Sequence, residues 1–278
     1  MYIFGFIALS ILNSSFLIAF CNLLNLSLLT MGIFSNLFGP KAPELHDLSV
    51  LHTDMHSHLI PGIDDGVETV EQSIAMIKGL MAFGYRRFIT TPHLLPGMYN
   101  NSAASIMPGL ALVRQAIAAK GLGVTIEAAG EYYYDEAFEE MAKEDDLLMF
   151  GGKRILFELP NMHEPQMLRH TVFALTCRGI TPVLAHVERY PYLYEKGLSD
   201  VEELVNMGVE MQVNIGTFTG IYGPQLQKAA YQMIDAGLVS YLGSDLHGEK
   251  HLGYITRALK DKRFRQVLAK HQFKNKEL

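Results

Sequence analysis

From about Leu48 onward, short runs rich in β-branched and aromatic residues alternate with longer stretches whose apolar positions recur at helical spacing. The β-like runs cover 50–55, 87–91, 124–126, 154–157, 181–185 and 239–243, and about seven strands can be counted in all. The intervening stretches predict helices over 69–83, 103–120, 135–143, 165–178, 200–207, 224–236 and 256–270. Thr69, with Gln72 three residues on, offers an N-cap. Pro165 and Pro224 suit a first helical turn. Gly84, Gly179, Gly208 and Gly237 each stand between a helical stretch and a strand, as C-terminal caps do. Such alternation builds a parallel sheet covered by helices. The strand count fits a closed or slightly irregular barrel better than an open sheet. A doubly wound sheet is the alternative, since its ligands also gather at the carboxyl ends of strands.

The apolar runs end, one after another, in side chains that bind metals. The first runs into His56 and His58, the second into His93, the third leads to Glu131, and the next two end at Glu158 and His186. The last delivers Asp245 and His247. Residues two apart on a strand share a face, so His56 with His58, and Asp245 with His247, can each reach one centre. A carboxylate at the end of an apolar strand is costly to bury without a partner, and a metal would be one for Glu131 and Glu158. These eight candidates exceed the three or four ligands that one zinc takes, so two or three ions are implied. A mixed imidazole and carboxylate set suits zinc, manganese or iron. Such clusters activate water and clamp a displacement at phosphorus. Asp65 reads either as turn chemistry in Asp64-Asp65-Gly66 or as a neighbour of the metals. Arg189 either grips a phosphate bidentately or pairs with Glu188.

Composition narrows the field. The chain has 278 residues, 31.1 kDa, 49% hydrophobic content and a net charge of -6. No Lys or Arg cluster is long enough for a nucleic-acid footprint. Cys21 and Cys177 are the two cysteines, which fits a reducing compartment rather than a disulfide framework. A cysteine phosphatase would need an Arg six residues beyond its nucleophile, where Ser27 and Val183 stand instead. There is no Gly-x-Ser-x-Gly elbow, no His-Glu-x-x-His helix and no Gly-Lys-Ser/Thr phosphate loop. Residues 1–33 form an apolar leader, and no charged residue precedes Lys41. It reads as a membrane anchor, an uncleaved targeting segment, or an upstream extension with true initiation at Met31. A linker over 34–47 then leads into one domain over 48–278.

The string Asp54-Met55-His56-Ser57-His58-Leu59-Ile60-Pro61-Gly62-Ile63-Asp64-Asp65-Gly66 is accompanied by three shorter ones. These are Thr91-Pro92-His93, Ala185-His186-Val187-Glu188-Arg189-Tyr190 and Ser244-Asp245-Leu246-His247. Over residues 48–270 the chain thereby resembles the bacterial manganese-dependent protein-tyrosine phosphatases of capsular and exopolysaccharide loci, a branch of the polymerase and histidinol phosphatase superfamily. The resemblance implies an α/β fold, a distorted (β/α)7 TIM-like barrel with a trinuclear centre at the C-terminal ends of the strands. It implies metal ligation by His56, His58, His93, Glu131, Glu158, His186, Asp245 and His247, with Asp65 close to the metals and Arg189 contacting phosphate. The cofactor would be two or three Mn2+ ions, with zinc or iron as alternatives. The substrate would be phosphotyrosine in the tail of a membrane tyrosine autokinase that controls polysaccharide export. The setting would be cytoplasmic, touching a membrane only through residues 1–33 or the kinase. A second Arg found beyond the last His in relatives is missing, and Lys250 or His251 stands nearby. Two rival functions stay open: a small-molecule phosphatase, such as one for histidinol phosphate, and a noncatalytic membrane-tethered interaction module. The tyrosines of 132–134 and 190–194 are candidates to line a substrate groove.

Overall fold

The structure, a computed structural model, describes residues 47–143 and 147–278. The expected leader and linker lie outside the described residues, apart from Asp47. Among the described residues no helix is long and apolar enough to cross a membrane.

The alternation seen in the sequence becomes parallel strands joined by helices. The strands are β1 (Thr53–Asp54), β2 (Arg87–Thr90), β3 (His93–Leu94), β4 (Thr125–Ala128), β5 (Glu131–Tyr133), β6 (Arg154–Glu158), β7 (Thr181–Leu184), β8 (Glu210–Asn214) and β9 (Val239–Gly243). The helices are α1 (Val70–Ala82), α2 (Ala103–Ala119), α3 (Glu136–Met141), α4 (Leu168–Cys177), α5 (Ser199–Asn206), α6 (Pro224–Asp235), α7 (Glu249–Lys260) and α8 (Lys262–Lys270). One sheet runs β1-β2-β4 and the other β3-β5-β6-β7-β8-β9, all pairs parallel. The fold is therefore mixed α/β with parallel sheets.

The two sheets meet where two strands are interrupted. β3 continues the line of β2 across Thr91-Pro92, and β5 that of β4 across Ala129-Gly130. Pro92 has no amide hydrogen for the ladder. At Gly130 an added Cβ would lie 2.4 Å from Leu94 Cδ1. Backbone bonds from Ala129 N to Thr90 O (2.9 Å) and from Glu131 N to Pro92 O (3.0 Å) carry the pairing through both breaks.

Most buried apolar side chains form one large core, which includes Ile77, Leu80, Val172 and Leu204 of the helices and Met211 and Val213 of β8. A smaller cluster joins Met55, just past β1, and Ile89, Leu156, Val183 and Tyr241 of four strands with Leu278 from the C-terminal tail. The tail is tied in by Asn275, which is buried. Its Oδ1 accepts from Leu242 N (3.0 Å), and its Nδ2 donates to Leu242 O (2.7 Å) and Thr53 O (3.0 Å).

Local signals were read unevenly. Thr69 caps α1 by accepting from Gln72 N at 3.2 Å, and the four predicted capping glycines all take positive φ. The run over 50–55 is mostly not a strand, since Asp47 accepts from Ser49 N and Oγ, residues 48–51 turn, and Val50 is exposed. Pro165 precedes α4 rather than opening it, its carbonyl accepting from Leu168 N in a turn (3.2 Å). The helix predicted over 256–270 is two helices, because extended Asp261 ends α7 and caps α8 through Phe264 N (2.8 Å).

Candidate metal centre

All eight candidate ligands converge, six of them at or just past the carboxyl ends of strands. His56 and His58 follow β1, His93 opens β3, Glu131 opens β5, Glu158 ends β6, His186 follows β7, and Asp245 and His247 follow β9. They fall into four overlapping groups able to hold an ion: His58, Asp65, His93 and His247; His56, His186 and Asp245; His56, His58 and Glu131; and His93, Glu131 and Glu158. Glu131 lies at the middle. Its Oε1 is 3.2 Å from His56 Nε2 and 3.1 Å from His186 Nε2, and its Oε2 is 3.4 Å from His58 Nε2 and 3.2 Å from His93 Nδ1. His186 and Asp245 hold left-handed backbone (φ 33° and 48°), a conformation that costs a non-glycine residue about 1 kcal/mol or more and that gathers at functional sites.

The donor set fits divalent cations. His56 Nε2, His58 Nε2 and Glu131 Oε2 are buried and make no hydrogen bond, although all three point into the cluster. Burial disfavours charge on every group here, yet Glu131 and Asp245 are held well below the usual carboxylate range by the cationic groups around them. Burial also lowers His56, but Glu131 and Asp245 outweigh it and push the imidazole up to about 9. The carboxylates thus call for positive charge at the centre. Metal ions would supply it and leave the imidazoles neutral.

A chain of amides fixes how the imidazoles face. The backbone N–H of His186 donates to Gln212 Oε1 (2.8 Å), so that oxygen is an acceptor. His56 Nδ1, 3.0 Å from the same oxygen, must then carry the proton and leave its Nε2 lone pair for the centre. Gln212 Nε2 donates to Asn214 Oδ1 (2.8 Å), and Asn214 Nδ2 donates to Asp245 Oδ2 (2.7 Å). The same logic orients His58 through Asp64 Oδ2 (2.8 Å) and His247 through the carbonyl of Asp245 (2.9 Å). Tyr190 OH lies 3.1 Å from His186 Nδ1. Sequence reasoning passed over the orienting roles of Asp64, Gln212 and Asn214, and took Tyr190 for a groove or packing residue. The alternation Glu210-Met211-Gln212-Val213-Asn214 was the available signal, with its polar side turned toward the ligands.

Asp65 is exposed and stands over the centre, its Oδ1 3.4 Å from both His93 Nε2 and His247 Nε2. Arg189 ends a 3-10 turn, Val187–Arg189. Its Nη2 lies 2.8 Å from Asp245 Oδ2 and its guanidinium 5.3 Å from the centre of the Tyr222 ring. Its alternative partner Glu188 is engaged elsewhere, buried and accepting from Asn214 N (3.0 Å) and Thr217 Oγ1 (2.7 Å). Tyr132, Tyr134 and Tyr190 are buried, so the packing role holds for them and not the groove-lining one. A larger hollow of ≈ 530 Å³ beside β4 carries one carboxylate, Glu127, paired with Arg87 at 2.6 Å.

Comparison with known proteins agrees with this geometry. Residues 52–271 match the family described as Capsular polysaccharide synthesis, CpsB/CapC. The chain is 29% identical over 205 residues to the tyrosine-protein phosphatase YwqE of Bacillus subtilis, covering 73% of this chain and 80% of that protein. It is 30% identical over 201 residues to the tyrosine-protein phosphatase CpsB of Streptococcus pneumoniae, covering 70% and 82%. A solved structure from work on those two proteins, described as unique metal-dependent tyrosine phosphatases, superposes with a TM-score of 0.67 at 29% identity, covering 74% of this chain and 84% of that one.

Proposed function

Because the chain belongs to the CpsB/CapC capsular polysaccharide synthesis family, we propose that it is a metal-dependent protein-tyrosine phosphatase working at this centre. The observation that carries the reading is the convergence of eight ligand-type side chains, with buried imidazole and carboxylate atoms left without a hydrogen bond. His56, His58, His93, Glu131, Glu158, His186, Asp245 and His247 are the ligands, and two or three Mn2+ ions the resident metals. Such ions supply an acidified water and neutralise charge on a phosphoryl group.

The chain's own residues do the rest. Arg189, held by Asp245 and braced on Tyr222, presents a planar fork of donors to the phosphoryl oxygens. Asp65, an exposed carboxyl whose ordinary pKa is about 3.9, is a carboxylate at neutral pH and would accept a hydrogen bond from the attacking water rather than protonate the leaving group. A phenolate, with a pKa of about 10, departs without such an acid more readily than an alkoxide. That preference supports phosphotyrosine as the substrate. Its source would be the tail of a bacterial tyrosine autokinase acting in capsule synthesis, in a cytoplasmic setting, with any membrane contact through residues 1–33 or the kinase.

The same reading takes residues 48–278 as one domain and the two sheets as a distorted (β/α)7 barrel. Counting β2 with β3 and β4 with β5 as single strands gives seven. Closure is supported by the parallel bridge between Ser57 and Leu246, with His58 N donating to Leu246 O (2.9 Å) and Asp245 N to His56 O (2.8 Å).

The test is hydrolysis of a phosphotyrosine peptide beside histidinol phosphate, with and without Mn2+. Metal-dependent turnover favouring the peptide is expected, falling by about a hundredfold or more in His56→Ala. Preference for the small ester would retain the metal chemistry and remove the signalling role. No turnover of either ester by metal-loaded protein would sink the enzyme reading.

A further inference from the structure

The cavity over the ligands has a volume of ≈ 310 Å³ and two dissimilar halves. Its floor is His186, Asp245 and His247, with Arg189 at the side. Its wall is built from Tyr222, which follows the 3-10 turn Ile215–Thr219, and Tyr254 on α7. The two rings meet edge to face, centroids 6.2 Å apart at 79°. Both sit close over Gly216, where an added Cβ would lie 3.2 Å from Tyr222 Cε2 and 3.5 Å from Tyr254 Cδ2. Both rings keep partial exposure to the cavity. On the floor the ligand atoms and the guanidinium fix where a phosphoryl group goes. The organic half of the ester is left with the rest of the cavity, which Tyr222 and Tyr254 bound together with Lys250 and His251.

We infer that Tyr222 and Tyr254 form the wall on which the substrate's aryl ring packs, so that the cavity selects phosphate esters of phenols over those of aliphatic alcohols. The inference rests on the phosphatase reading of the floor. Aromatic rings prefer offset or edge-to-face contact, and one such contact changes affinity by about threefold to tenfold. An aminoalkyl phosphate would bring its positive charge beside Arg189 and Lys250. The carboxylates of the cavity, Asp65 and Asp245, already face imidazoles or the guanidinium and do not offset it. An uncharged aryl ring meets no such opposition.

Phenylphosphonate and methylphosphonate share a head group and differ by the ring, so their binding to the metal-loaded full chain, measured by calorimetry, isolates the wall. The wild type is expected to prefer phenylphosphonate. Tyr254→Ala should cut that preference about threefold to tenfold, Tyr254→Phe should keep it, and Gly216→Ala, whose Cβ presses on Tyr222, should reduce it. On a phosphotyrosine peptide the loss in Tyr254→Ala should fall on KM rather than kcat. Equal weakening of both phosphonates, or an undiminished preference in Tyr254→Ala, overturns the inference. If the peptide is turned over while Tyr254→Ala keeps the preference, the wall falls and the phosphatase reading stands. If the preference behaves as expected but no peptide is cleaved, the reverse holds.

Discussion

Gln212 makes three contacts that determine how neighbouring ligands sit, although it offers no ligand-type atom itself. It receives the backbone N–H of His186 and the ring N–H of His56, and donates to Asn214. Removing its carbonyl by Gln212→Leu leaves a buried donor unpaired and frees the His56 ring, so metal affinity should fall about 10–100-fold. Gln212→Glu keeps the acceptor and loses the donation to Asn214, so it should fall between the two. Competition against a chelator of known affinity reads both variants, and wild-type affinity in Gln212→Leu would remove the orienting role. Little of this was legible in the sequence. Histidines and acids at strand ends announce themselves by type, whereas an amide is an ordinary surface residue until its partners are known. Asp64 shows the limit most sharply. Asp64-Asp65-Gly66 reads as a turn around one useful acid, yet the buried Asp64 orients His58 while Asp65 stands exposed above it.

At the scale of elements, β8 carries no candidate ligand and holds polar side chains at every second position, Glu210, Gln212 and Asn214. Alternation in the sequence says that one face is polar. It does not say that this face looks toward other strands. Glu210 accepts from Arg154 Nε (2.8 Å), Tyr241 OH (2.7 Å) and Lys274 Nζ (2.6 Å). Burial would raise its pKa, but these donors outweigh it and hold the carboxyl below its ordinary value. A lowered folded pKa stabilises fully above the unfolded value of about 4.3 and is lost as pH falls through the folded one. Glu210→Gln should therefore be less stable than wild type by about 1–2 kcal/mol at neutral pH, with the gap shrinking below about pH 4. A gap that stays constant across an acid titration of denaturant midpoints would contradict this. The tail makes a second prediction. Asn275→Ala leaves Leu242 N, Leu242 O and Thr53 O without their side-chain partner, at a cost of about 2–3 kcal/mol in chemical denaturation. A loss under about 0.5 kcal/mol would mean that water replaces the amide there.

For the whole molecule, the alternation of strands and helices was legible because periods of two and 3.6 are properties of the chain. The interruptions at Pro92 and Gly130 were not, since they depend on which strand lies alongside. Candidate ligands from both sheets meet at one centre. Ions bound there stabilise the folded chain by about 2.7 kcal/mol at a hundred times Kd. Thorough chelation should then lower Tm by several degrees, and Mn2+ should restore it. An unchanged Tm on stripping would contradict metal ligation by residues from both sheets.

The four ligand groups differ in depth. Those of His56, His186 and Asp245, and of His56, His58 and Glu131, are wholly buried, whereas the group containing Asp65, His93 and His247 opens to solvent. An ion held by the exposed group would meet a chelator in solution before one held by a wholly buried group. Removal would then be graded, the exposed position emptying first. During graded chelation the protein would pass through a discrete species lacking only its outermost ion.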